Sequence, residues 1–391
     1  MWSYFKWELR AFFTNRKNMA IYLLVLFFSL FYWLQIEANF SIIETVSKDK
    51  LEASVATKDD FLANVNLKGE THPSTLEAVA LFEPLVKIEK AQLKALEDKD
   101  YRELAKVRSE WYWYGADNNP LYYKGGNIYA QEEANYAQTA THFKLLGYAE
   151  GKEDVTLKVM NEQTASHALV RALNHLLPMI FILLGLVFSM DLIAKDRQHK
   201  SLIKGLPLSD GKKITVKFAT AFIGVLISVI PLSVGFIGIG LQNGFGYLNL
   251  PIPVSFYKDG MPLLSDLMFE NITFGNYLLQ CVTLISLLVA LVIVINLILG
   301  MWIKNAYFLL IITLSLPFIE LLYNRFGYGD IHTITYLPTS YVCVGDVLTG
   351  HRSFFWADVN LNFQSGVLTV GVCLLVMLVI LGLHSRFKKL L

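Results

Sequence analysis

The chain reads as an all-α polytopic membrane protein with six spanning helices, and three observations predict it. Its 391 residues are 54% hydrophobic and only 17% charged, against roughly 45–50% and about 25% in soluble domains. The apolar residues recur in uncharged blocks of roughly twenty, the length that crosses about 30 Å of hydrocarbon. The charges are segregated as well. Residues 37–168 carry 22 acidic and 15 basic side chains, a net of −7, while the rest of the chain carries 19 basic and 11 acidic, a net of +8. An acidic soluble domain is thus inserted into a basic membrane protein.

The blocks place spans at 19–36, 172–194, 214–241, 276–303, 306–322 and 366–384, with the soluble domain over 37–171. Basic residues in short loops set orientation. Lys6, Arg10, Arg16 and Lys17 precede the first span, and Lys195, Arg197, Lys200, Lys204, Lys212, Lys213 and Lys217 flank the loop after the second. Lys304 lies between the fourth and fifth spans, and Arg386, Lys388 and Lys389 close the chain. With six spans these fifteen share one side, and the other side has only Arg171, Lys258, Arg325 and Arg352 outside the acidic domain. The expectation is a multi-pass protein of the inner or plasma membrane, with both termini cytoplasmic and the acidic domain outside. The first block starts too late, and lacks the small-residue cleavage site, to be a signal peptide. Cys281, Cys343 and Cys373 all lie in or beside spans, so no disulfide framework is expected in the domain. Asn271-Ile-Thr273 fits a glycosylation acceptor, which matters only in a eukaryotic secretory pathway.

Residues 1–18 place Trp2, Phe5, Leu9, Phe12 and Phe13 at helical spacing, with Ser3, Lys6, Arg10 and Thr14 on another face. That pattern predicts a helix lying flat in the interface, its basic side toward anionic headgroups, rather than a plain basic flank. The acidic domain is expected to be mainly helical. Ser74-Thr-Leu-Glu77 after Pro73 fits a capping box, and Pro84 is expected to kink or restart the helix it opens. Leu104, Val107, Trp111 and Tyr114 form an apolar stripe, turns follow at 115–126, and a second helical pattern covers 128–146. The aromatic cluster Trp111, Tyr112, Trp113, Tyr114, Tyr122, Tyr123 and Tyr129 reads as domain core or a seat on the membrane before it reads as a ligand surface. Asp98-Lys-Asp100 reads as the solvated face of a Lys/Glu-rich helix, not a metal-binding pair. Residues 242–275 form an outer loop and 385–391 a cytoplasmic tail. The 323–365 segment, with its semi-apolar run 334–348, resembles short helices that dip part-way into the outer leaflet.

Much chemistry is missing from the chain. It contains no Gly-x4-Gly-Lys-Ser/Thr loop, His-Glu-x-x-His, Cys-x-x-Cys or Gly-x-Ser-x-Gly, and its eight histidines are scattered singly. No enzyme activity, metal, cofactor or nucleic-acid partner is expected of this chain itself. Three ionisable groups sit at membrane depth: His175 near the outer end of the second span, Glu320 after Pro317 in the fifth, and Asp191 at the inner end of the second. Such groups are costly in hydrocarbon. His175 and Glu320 are candidates for a substrate path, and Asp191 is expected to cap or pair near Lys195.

The loop over 195–213 is the most informative segment. It displays Leu202 and Ile203 among Lys200 and Lys204 on a short helix, stops it with Gly205 and Pro207, and offers Ser209 or Asp210 as the next cap. An apolar pair on a charged-rimmed helix suits docking into a partner's groove. Here the layout resembles the permease subunit of ABC-2 type (type V) exporters. The N-terminal Phe5-Lys-Trp-Glu-Leu-Arg10 is similar to the family's flat helix, and Asp196-Arg197, Leu202-Ile203, Pro207-Leu-Ser209 and Lys212 or Lys217 are similar to its loop between the second and third spans. The resemblance covers the N-terminus and 170–391 but leaves 38–168 unmatched, and Lys200-Ser201 stands where the family often has Gly-Thr.

The resemblance implies a second permease chain, in a homo- or heterodimer, and separate ATPase subunits holding ATP and Mg. It implies that Asp196, Arg197, Lys200, Leu202, Ile203 and Lys204 form the coupling surface. The cargo would be an amphiphilic or hydrophobic peptide, lipid-like compound or drug. The rival expectation is a membrane-anchored sensor or assembly factor whose outer domain binds a partner.

Overall fold

A helix that is apolar all round has no polar stripe to turn outward, and one such helix, Phe274–Trp302, is the one the other helices surround. The computed structural model describes residues 1–42, 44–67, 72–114, 130–174, 176–198, 201, 205–260, 263, 265, 267–326 and 335–387, the side chains of 130–132, 198, 320–326 and 386–387 excepted. Among the described residues five helices are long and apolar enough to cross a membrane: Arg16–Glu37, Leu176–Arg197, Asp210–Asn243, Phe274–Trp302 and Phe363–Ser385. The chain is a predominantly helical, membrane-embedded protein. At the expected fifth span a helix runs over Ala306–Phe326, with its apolar stretch at Ala306–Ile319.

The chain opens with α1 (Trp2–Phe13), a helix where the periodicity predicts one. Tyr4, Glu8 and Phe12, one turn apart, are buried, while Trp2 and Trp7 are exposed. The reason is tertiary, because α1 lies along the helix Asp210–Ile227. Gly224 on that helix makes room for the Phe12 ring; a Cβ there would stand 2.7 Å from Phe12 Cε1. Next, α2 (Arg16–Phe31) starts at Asn15, whose side chain accepts the Lys17 N–H at 3.1 Å, and it widens into a π-turn over Tyr32–Glu37.

The inserted domain contains α3 (Lys48–Asn64), α4 (Pro73–Glu97), α5 (Tyr101–Trp113), α6 (Ala130–Glu150) and α7 (Leu157–Met160), with α3 to α6 each packed on the next. Several local readings change here. The cap of α4 is His72, whose ring accepts the Ser74 N–H, because Pro73 already occupies the first helical position. Pro84 sits inside α4 without ending it. Asp98-Lys-Asp100 is a helix break, not a helix face. Asp98 closes α4, Lys99 takes a left-handed φ of 57°, and Asp100 caps α5 by accepting the Glu103 N–H at 3.0 Å. The aromatic cluster divides as well. Tyr112 is buried, Trp113 and Tyr114 are exposed at the end of α5, and Tyr122, Tyr123 and Tyr129 lie outside the described residues.

From the domain, α8 (Ala165–Asn174) leads to α9 (Leu176–Ser189) and α10 (Leu192–Gln198). The block expected as one span at 214–241 is one membrane-length helix, Asp210–Asn243, interrupted only at Ser228, where α11 (Asp210–Ile227) passes into α12 (Val229–Asn243). Pro231 has no N–H to offer the Ile227 carbonyl one turn earlier, and the Ser228 hydroxyl donates to the Val225 carbonyl at 2.6 Å. Beyond the break α12 packs on α2, where the Ser29 hydroxyl donates to Leu232 O at 2.6 Å and accepts the Gly235 N–H at 2.9 Å.

The segment expected as a loop at 242–275 holds the one sheet among the described residues. Antiparallel strands β1 (Pro251–Tyr257) and β2 (Leu267–Thr273) pair from Pro251 with Thr273 to Tyr257 with Leu267 and pack on α6. The Asn271 amide donates to Phe143 O at 2.6 Å, so the glycosylation triplet lies in a paired strand. Then come α13 (Phe274–Trp302), α14 (Ala306–Phe326), the short α15 (Val344–Leu348) and α16 (His351–Trp356), and α17 (Phe363–Phe387). Short pieces precede the last span, with Tyr341 and Val344 fully buried against the bundle. Asn296 ties α13 to α9 by donating to Leu186 O and Ser189 Oγ, both at 2.8 Å.

Candidate functional site: charged clusters at the two ends of the bundle

Lysine is rarely buried without a carboxylate to meet it, and Lys217 on α11 is buried to 1% exposure. Its ammonium lies 2.6 Å from Glu8 Oε1 of α1 and 2.8 Å from Asp196 Oδ1 of α10. The Tyr4 hydroxyl donates to the same Glu8 oxygen at 2.7 Å. One lysine thus joins the consecutive helices α10 and α11 to α1, about two hundred residues away in the chain. Taking three charges out of water is costly unless each is met, which explains why Tyr4 and Glu8, rather than the aromatic stripe of α1, face inward.

The neighbouring charges are also engaged. Arg197 donates to Met301 O at 2.6 Å and Ile303 O at 3.1 Å, so it satisfies the C-terminal carbonyls of α13. Asp191 pairs with Lys195 at 2.8 Å, as its spacing implied, and with Lys17 at 3.0 Å, while Lys17 donates to Val187 O at 2.8 Å. The base of the loop is therefore fixed to α1, α2, α11 and α13.

This placement changes the part played by two predicted site residues. Asp196 is 4% exposed, and both it and Arg197 turn into internal contacts instead of forming an open rim. Lys200, Leu202, Ile203 and Lys204 lie outside the described residues, as does His175. Glu320 belongs to α14, with its side chain outside the description.

The opposite end of the bundle, where the domain meets it, holds a polar cavity of about 240 Å³. Arg171 of α8 pairs with Glu37 at the end of the first span, donates to Glu162 O at 2.8 Å, and stacks its guanidinium 3.5 Å from the Phe40 ring centre. Lys144 of α6 pairs with Glu162, which follows α7 in a left-handed conformation with φ 55°. Burial alone would raise the Glu162 carboxyl, but Lys144, helped by Arg171, holds it down at about 2. His167 is buried between the Tyr148 hydroxyl at 2.8 Å and the Thr164 hydroxyl at 2.7 Å, and burial drives its pKa down to about 3. On the facing wall His351 of α16 lies 3.6 Å from Glu133 of α6 and 4.0 Å from Asp346 of α15.

Sequence reasoning missed this junction. Its groups come from segments far apart in the chain, and the one local signal was an acidic residue, Asp346, inside the semi-apolar run 334–348. Among the described residues no group of three or more His, Cys, Asp or Glu is arranged to hold a metal ion. No family model matches the chain, and neither a curated protein nor a solved structure matches it.

Proposed function

We propose that this chain is the permease subunit of an ABC-2 type exporter, moving an amphiphilic or hydrophobic cargo outward under the power of a separate ATPase subunit that binds ATP and Mg. In this reading α14 completes a sixth span in the cell membrane, and both termini and the 195–213 loop are cytoplasmic. The 37–171 domain stands outside, and a second permease chain completes the pathway. His175 and Glu320 are the polar points proposed along the cargo path.

The observation that carries the reading is the anchorage of the loop's base. Asp196, through Lys217, reaches α1 and α11, and Arg197 holds the end of α13. A push on the loop would reach three elements of the bundle together, which is what alternating access of rigid bodies requires. Within this scheme Leu202 and Ile203 dock into the ATPase, Lys200 and Lys204 rim the contact, and Asp196 and Arg197 pass the motion inward.

Two aliphatic side chains buried on docking contribute roughly 1.5–3 kcal/mol each, so changing both Leu202 and Ile203 to Asp is expected to abolish recovery of an ATPase with the chain purified from its native membrane. Equal recovery with wild type and double variant would sink the docking assignment. The charged junction between domain and bundle favours a second reading, a membrane-anchored sensor. In that case wild type recovers no ATPase, and a partner is captured through residues 37–171.

A further inference from the structure

We propose that the bundle carries a cleft for one acyl chain of a bilayer phospholipid, entered sideways at the break in the third span. The cleft lies beside Ser228, and residues on both sides of it line the wall. Before it, α11 packs on α1, α9 and α13; beyond it, α12 turns to α2 and α8. A wedge of about 270 Å³ opens between α9, the broken helix and α13. Its floor is Leu173, Leu177, Val225, Leu232 and Val289, all buried. The rings of Phe181, Phe222 and Phe236 line it, and Ser233 and Ser286 are its only hydroxyl-bearing residues. The Ser233 hydroxyl already donates to Ile230 O at 2.8 Å.

Three features identify the occupant. The cleft offers almost nothing for water to bond, and apolar cavities stay dry. An empty one forfeits the dispersion contacts of its lining. Its rim is Leu226, Val229 and Val282, 51%, 48% and 52% exposed, all on membrane-spanning helices. The medium at its mouth is therefore hydrocarbon, and the molecule that reaches it unaided is a lipid chain. This inference does not depend on the transport reading and holds equally for a sensor.

The test uses the full chain in nanodiscs containing phosphatidylcholine with a diazirine on one acyl chain. Adducts mapped by mass spectrometry are expected on Phe222, Val282 and Ser286 in excess of those on Leu375, which is exposed on the outer face of α17. Ser286→Phe, which fills the cleft, is expected to lower the cleft-to-Leu375 ratio about tenfold; Phe222→Ala, which enlarges it, is expected to raise the ratio. If the filled variant fails to fold, the enlarged one and the milder Ser233→Leu decide. A ratio unchanged across the variants overturns the proposal. So does labelling of the cleft by a free diazirine fatty acid but not by the phospholipid, which would assign it to a soluble amphiphile.

Discussion

Lys217 shows how one side chain can set the face of another helix. Its ammonium is shared by Glu8 and Asp196, and each carboxylate is buried to within a few per cent of full enclosure. Removing the shared cation leaves two buried carboxylates facing each other. Lys217→Met is therefore expected to cost about 3–5 kcal/mol, read as a fall in the thermal unfolding midpoint in detergent. Adding Glu8→Gln and Asp196→Asn to that change should recover a large part of it. No recovery in the triple variant would show that the lysine acts through packing alone.

His167 makes a second prediction at this scale. Its folded pKa, about 3, lies below its ordinary 6.5, so its contribution to stability is full above about 6.5 and is lost as pH falls toward 3. Glu162, held near 2 against an ordinary 4.5, adds its own loss only below about 4.5. The unfolding midpoint of wild type should fall between about pH 7 and pH 5, and that of His167→Gln should stay flat there. A wild-type midpoint without slope in that window would remove His167 as the cause.

At the scale of elements, two breaks shape the molecule, and they have different origins. The break between α4 and α5 is made by local chemistry: Lys99 in the left-handed region and Asp100 as cap. Asp100→Ala is expected to destabilise the protein by about 1 kcal/mol, and Lys99→Gly to stabilise it by a similar amount, since glycine takes that conformation freely. Denaturant unfolding followed by helix signal checks both, and a neutral Asp100→Ala would show the cap is idle. The interruption at Ser228 starts locally with Pro231, and beyond it α12 packs on α2. Gly235 permits that contact, because the Ser29 main chain lies where a Cβ would stand. The hairpin of β1 and β2 escaped a sequence reading that took 242–275 as a loop. Pro251 and Pro253 argue against a strand, and the Asp259-Gly260 pair was the available turn signal.

At the scale of the molecule, the two ends differ in charge and in task. One end of the bundle gathers Lys17, Lys195, Arg197 and Lys217 in ion pairs or on carbonyls, with Trp302 stacked on His384 at 5.2 Å. The other end bears the domain, joined through Arg171, Lys144 and Glu162. If the basic end is cytoplasmic, a cysteine at Lys99 reacts with an impermeant thiol reagent in intact cells, and one at Lys204 or Lys388 does not. Labelling at Lys204 from outside would overturn the assigned sidedness.

By itself the sequence determined the membrane class, where five long apolar helices lie, the helical character of the inserted domain and the Asp191–Lys195 contact. Each depends on properties of a single segment: a run of apolar residues, a helical period, a charge four residues from its partner. Only the tertiary structure decided which face of α1 is buried, that Asp196 and Arg197 point inward, and that Arg171, Glu162, His167, Glu133 and His351 gather at one junction. Those arrangements bring together groups up to a few hundred residues apart. Burial in low dielectric selects among the possible partners there by requiring each enclosed charge to be met, and no local pattern in the chain encodes that choice.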